Sequence, residues 1–144
     1  MRLQHISIMQ LILVIKDHFG SYSINEFYNI MIVWISSYPK SGNTWVRTFL
    51  STYYFSKNDE FSFDLLKNIR QFPHKKFFDK DINSIGLAIN NWDKAQSNIN
   101  SKDKVVFLKT HSALVKINDI PFTTKKNSLG SIYIVRDPRN IITS

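Results

Sequence analysis

At 144 residues the chain can bury about two-thirds of its unfolded surface in one core, and 43% hydrophobic with 14% aromatic content supplies the material. The absence of cysteine excludes disulfides and thiolate metal sites, and fits a reducing or an oxidising compartment equally. A formal charge of +8 favours anionic ligands, but not nucleic acid: the lysines are scattered, the pairs Lys75-Lys76 and Lys125-Lys126 fall in predicted loops, and no aromatic-basic recognition motif accompanies them.

Residues 6–15 are an apolar run broken by Ser7 and Gln10, too short to span a bilayer. Arg2 precedes it as in a signal peptide, but Lys16-Asp17-His18 follows where a small-residue cleavage site belongs. Residues 1–30 carry no motif. They are read as an N-terminal extension, either lying upstream of a natural start at Met31 or forming an added helix packed on the sheet. Residues 31–144 are read as the N-terminal part of a domain.

Met31-Ile32-Val33-Trp34-Ile35 is a continuous apolar run, as expected of a strand buried on both faces. Tyr38-Pro39-Lys40-Ser41-Gly42-Asn43-Thr44-Trp45 follows, and then Trp45, Val46, Phe49, Leu50, Tyr53 and Tyr54 recur at a four-residue step. That spacing predicts a helix with one apolar stripe, from which Arg47, Thr48, Ser51 and Thr52 face away. The first turn of such a helix leaves backbone N–H groups without intrahelical partners, pointing at whatever precedes it. An anion fits there. Gly42 admits a close backbone approach, Ser41 and Thr44 offer hydroxyls, and Lys40 brings a full charge. The loop is not a Walker A motif, because its lysine precedes the glycine.

Residues 56–104 form a long insertion. Leu65, Leu66, Ile69 and Phe72 suggest one helix, and Ile85, Ile89, Trp92 and Ile99 another. Between them Phe72-Pro73-His74-Lys75-Lys76-Phe77-Phe78 reads as an aromatic loop. Val105-Val106-Phe107-Leu108-Lys109-Thr110-His111 is a strand ending in Lys-Thr-His, and Ser131-Ile132-Tyr133-Ile134-Val135 is another. After the latter, Asp137 suits a helix N-cap and Pro138 the first helical position. Taken singly, each motif has a plainer alternative. Lys40 reads as a solvated loop lysine, Arg136 and Asp137 as a surface ion pair, and His111 as a strand-end histidine satisfied by backbone. His5, His18 and His74 have only that last reading, and Trp34 and Trp45 are read as core.

Three segments in order, each at the end of a predicted strand, resemble the PAPS-dependent sulfotransferases over residues 31–144, PAPS being 3′-phosphoadenosine 5′-phosphosulfate. Lys40-Ser41-Gly42-Asn43-Thr44-Trp45 is similar to their 5′-phosphosulfate loop. Arg136 and Ser144, eight residues apart, match their 3′-phosphate segment, and His111 matches their general base. The resemblance implies a three-layer α/β fold of the P-loop nucleotide-hydrolase type with a mainly parallel sheet, PAPS as sulfonate donor, Trp45 near the adenine, and a small-molecule or carbohydrate acceptor partly covered by the insertion. Ordinary helical packing is the alternative for the insertion. Members run past the position of Ser144 and carry a later glycine-rich segment, so the resemblance also implies an incomplete C-terminus. Asn43 stands where many members have threonine, and Ser112-Ala113 where many animal cytosolic members have Leu-Pro, which puts a phenol or steroid acceptor in doubt and brings the chain nearer to bacterial members.

Sulfuryl transfer builds negative charge on the bridging oxygen of the leaving phosphate, so a cation must meet it, and Lys40 is suited to that task. Sulfonate carries less charge than a phosphoryl group and demands no metal, and the sequence has no acidic or histidine cluster with ligand spacing. An acceptor hydroxyl or amine must lose a proton. An imidazole, ordinarily titrating at about 6.5, is the apt base, with Lys109 as a further catalytic candidate touching the sulfonate or the acceptor. The expected location is cytoplasmic. The runners-up are a small P-loop nucleotide kinase and a non-catalytic PAPS- or nucleotide-binding fragment.

Overall fold

The computed structural model describes residues 32–78, 84–100 and 105–139. The proposed extension, residues 1–30, and Ser144 lie outside them. The order is β1 (Ile32–Ser37), α1 (Asn43–Phe55), a 3-10 turn (Phe63–Asn68), β2 (Arg70–Gln71), a second 3-10 turn (Lys75–Phe77), α2 (Ile85–Asn90), α3 (Trp92–Asn100), β3 (Val106–Thr110), β4 (Lys116–Ile117), β5 (Ile120–Pro121) and β6 (Ser128–Ile134). The main sheet runs β2-β3-β1-β6, and its pairings are parallel. A parallel sheet covered on both faces is the α/β architecture that the sequence predicts.

Strand alternation in β1 divides the core. Ile32 and Trp34 face one layer with Phe72, Ile89, Trp92, Ala95, Ile99, Leu108 and Phe122, so α2 and α3 cover that side. Val33 and Ile35 face the other with Ile69 and Phe107, against which Val46, Leu50 and Tyr54 of α1 pack. Trp34 is a core residue as expected, and its indole N–H donates to Ser128 Oγ at 2.7 Å.

Three expectations are corrected. The apolar positions of α1 make two stripes, of which only Val46, Leu50 and Tyr54 meet the sheet. Trp45 is 75% exposed and Phe49 59%, while Ser51 is buried and Arg47 turns inward to bond with carbonyl groups of the insertion. The rotation of the helix is fixed by Asn43 at its first turn, whose Nδ2 donates to the Ile35 carbonyl and to Ser37 Oγ, both at 3.1 Å. Asn43, Val46, Arg47 and Leu50 therefore face in together, and Trp45 is left outside. The first insertion helix is instead a 3-10 turn followed by the edge strand β2, where Arg70 pairs with Leu108 and Gln71 with Lys109. The second is broken at Asn91 into α2 and α3, and Ile85, placed on its apolar face, is 82% exposed. Beyond these, β4 and β5 form a hairpin unread in the sequence, turning at Asn118 and Asp119, both at positive φ. A two-residue loop of that kind matches the twist of paired strands.

Among the described residues, no helix is long and apolar enough to cross a membrane.

Candidate functional site

The carboxyl ends of parallel strands in an open α/β sheet face the crevice where ligands bind, and in this sheet the ends of β1, β3 and β6 come together there. After β1 the chain turns through residues 38–42, closed by Ser41 N–H donating to the Tyr38 carbonyl at 3.3 Å. Lys40 has φ 66 and Gly42 φ 98. At Gly42 a side chain would meet no atom within 4 Å, so glycine is required there by the left-handed backbone rather than by protein crowding. Gly42 caps α1 without a side-chain hydrogen bond, and the first turn holds no acidic residue. The N–H groups of that turn remain available as donors, with the positive end of the helix dipole behind them.

Lys40 and Thr44 are exposed, and Ser41 is buried. Arg136, just past β6, donates from Nη1 to the Lys40 carbonyl at 3.1 Å. Two motifs 96 residues apart in sequence thus touch. Beyond Arg136, Asp137 accepts from the Arg139 backbone N–H at 2.9 Å and ion-pairs with the Arg139 guanidinium, which holds the Asp137 carboxyl below its usual range. It acts as the N-cap that the sequence predicts, and its charge is occupied by Arg139. Backbone donors, Lys40 and Arg136 make a setting suited to phosphate. Ser144, its expected partner, lies outside the described residues.

Asn43 contributes differently from expectation. Its buried Nδ2 is committed to Ile35 and Ser37 and its Oδ1 is buried without a hydrogen-bond partner, which leaves its backbone N–H to the loop. Trp45 is an exposed ring at the head of α1 rather than a core residue.

His111 follows β3. Its Nδ1 lies 2.8 Å from the Ser37 carbonyl and 3.3 Å from Ser37 Oγ. A carbonyl only accepts, so Nδ1 carries the proton and Nε2 the lone pair. Ser37, which the sequence reading passed over, fixes the tautomer; its only signal was a polar residue ending an apolar strand. Lys109, on β3 two residues earlier, is half-buried, and burial, then Arg47 nearby, pushes its ammonium below its ordinary value. It lies on the Arg47 side of the sheet. Arg47, read as facing away, is anchored by Nη2 donating to the carbonyls of Leu66 at 3.1 Å and Ile69 at 2.7 Å.

Among the described residues no group of three or more His, Asp or Glu is arranged to hold a metal ion. No curated protein and no solved structure gives a significant match to this chain. The model of the sulfotransferase domain matches residues 32–144, the span that contains the loop after β1, Lys109, His111 and Arg136. The chain belongs to the sulfotransferase domain family, whose chemistry is sulfonate transfer.

Proposed function

We propose that this protein transfers a sulfonate from PAPS to a hydroxyl or amine on a small-molecule or carbohydrate acceptor. The N–H groups of residues 42–45, with Ser41 and Thr44 as hydroxyl donors, bind the 5′-phosphate. Arg136, together with Ser144, takes the 3′-phosphate, and the exposed ring of Trp45 offers a stacking surface for the adenine. When bound, PAPS supplies the sulfonate and a phosphate leaving group. Lys40 faces the negative charge that grows on that group, preorganised stabilisation of the kind worth about 2.7–4 kcal/mol per donor in other enzymes. His111, holding its Nδ1 proton against Ser37, accepts the acceptor's proton at Nε2. Lys109 steadies the sulfonate or the acceptor from the same strand.

The observation that carries this reading is the hydrogen bond from Arg136 to the Lys40 carbonyl, which joins the two proposed phosphate-binding segments. Its test is thermal unfolding with adenosine 3′,5′-bisphosphate, with ATP, and with neither, since a ligand bound only by the folded state raises the midpoint. The bisphosphate should raise it more than ATP does, and Lys40→Ala and Arg136→Ala should each abolish the difference. A melt indifferent to the bisphosphate would sink the assignment of the donor, and a larger rise with ATP would turn the reading toward a nucleotide kinase. Turnover with labelled PAPS separates a working enzyme from a non-catalytic nucleotide-binding chain.

A further inference from the structure

A cavity of about 470 Å³ opens between α1, the 3-10 turn Phe63–Asn68 and the segment through β2 to His74, lined by Arg47, Leu66, Lys67, Arg70, Gln71, His74 and Lys76. Among the described residues its ionisable lining is basic. Lys67 is offset by Asp64; Arg47, Arg70 and Lys76 have no carboxylate within ion-pair distance among the described residues. Arg47 is half-buried while Arg70 and Lys76 are exposed, and a half-buried cation without a counter-charge is costly.

Arg47 shows that the arrangement is built. Its Nη2 is held by two carbonyl groups, which orient the guanidinium without neutralising it, and its buried Nε has no hydrogen-bond partner. Arg70 spends only Nε, on the Lys67 carbonyl at 3.3 Å, leaving its Nη nitrogens without a protein partner among the described residues. His74 Nδ1 accepts from the Lys76 backbone N–H at 3.2 Å, so a neutral His74 ring presents Nε2–H as a donor. The uncompensated field reaches Lys109, whose ammonium is depressed by burial and by Arg47.

The cavity also stands in register with the proposed base. Asn43, which bonds Ser37, and Arg47 are four residues apart on α1 and so share a face one turn apart. Gln71, which lines the cleft, pairs with Lys109 of β3, two residues before His111, so the cleft and the proposed base lie along neighbouring strands.

We propose that the acceptor is acidic, and that Arg47, Arg70 and Lys76 bind its carboxylate or sulfate while a hydroxyl of the same molecule meets His111. This deepens the sulfotransferase reading and rests on it. The cationic rim continues around the β2 edge, where Lys67, Arg70 and Lys76 also line a second cavity of about 480 Å³, so an acidic chain can extend past the first cavity.

The test is a protein-observed NMR titration with glucuronate, N-acetylglucosamine 6-sulfate and neutral N-acetylglucosamine, each with and without saturating adenosine 3′,5′-bisphosphate. The charged sugars should bind and shift residues 66–76, the neutral one far less. In an Arg70→Ser/Lys76→Ser variant the charged sugars should bind about tenfold or more weakly, as expected for lost charge-assisted hydrogen bonds, while the bisphosphate binds as before. Tighter binding of one charged sugar tells carboxylate from sulfate. Equal binding of neutral and charged sugars, or charged binding untouched by the variant, would overturn the proposal. Failure of the bisphosphate to bind would count against the donor assignment alone, because the cleft is read separately by the titrations without it.

Discussion

Around Lys40 the cations stand in solvent on a loop shaped by backbone conformation, whereas around Arg47 one half-buried guanidinium and the exposed Arg70 and Lys76 line a cleft shaped by tertiary packing. The first region depends on two left-handed residues and an uncapped helix, features carried by about six consecutive positions. The second draws on α1, a 3-10 turn, an edge strand and the loop beyond it. The proposed donor site is a short local device that survives changes elsewhere. Choice of acceptor is met by a composite surface that can change without disturbing that device.

His111 bonds Ser37 at the end of β1, where the first region begins, and replacing it tests whether the two regions are separable. His111→Ala should lower kcat by about 10²- to 10⁴-fold, the usual contribution of a general base, with little change in the affinity for adenosine 3′,5′-bisphosphate. Steady-state kinetics beside nucleotide titration reads both. Equal losses would mean that His111 holds the loop after β1 rather than taking a proton. Ser37→Ala retains the carbonyl that fixes the tautomer and should cost far less.

The same contrast explains what the sequence made legible. β1 was readable because a strand buried on both faces must be apolar throughout, and its residues do divide between two core clusters. The loop from Lys40 to Trp45 was readable because local order dictates local geometry. The facing of α1 was not: positions 45, 49, 53 and 46, 50, 54 are equally apolar, and the choice was made by the Asn43 amide bonding Ile35, a tertiary contact. β2 escaped notice because Arg70-Gln71 has no strand pattern, and only its pairing with β3 makes it one. The cleft was illegible for the same reason, since Arg47, Arg70 and Lys76 meet only once the insertion folds back on α1.

Gly42 sharpens the backbone side of the comparison. A methyl group there meets nothing within 4 Å, so Gly42→Ala should cost about 1–2 kcal/mol for the left-handed conformation alone, measurable by urea unfolding. If the Gly42 N–H also approaches a phosphate closely, nucleotide affinity measured by calorimetry on the folded variant should fall as well. A stability loss with unchanged affinity would confine Gly42 to a conformational role.

The smallest effect isolates the cleft. Lys109 is depressed below its ordinary value of 10.5 by burial and by Arg47, so the folded state releases its proton at lower pH than the unfolded chain does. Between the folded value and 10.5 the unfolded state binds more protons, and stability contributed by this site rises with pH. Its penalty is present in full below that window and relieved as pH passes through it. Lys109→Met removes the titration. The difference in unfolding free energy between wild type and Lys109→Met should therefore shift in favour of wild type as pH is raised toward 10.5, by urea titration at matched ionic strength. Added salt or a bound acidic ligand, by screening Arg47, should shrink the shift without abolishing it, because burial is the larger cause. A pH-independent difference would mean that burial and Arg47 do not depress the Lys109 ammonium, and the contrast between the two regions would fail at this residue.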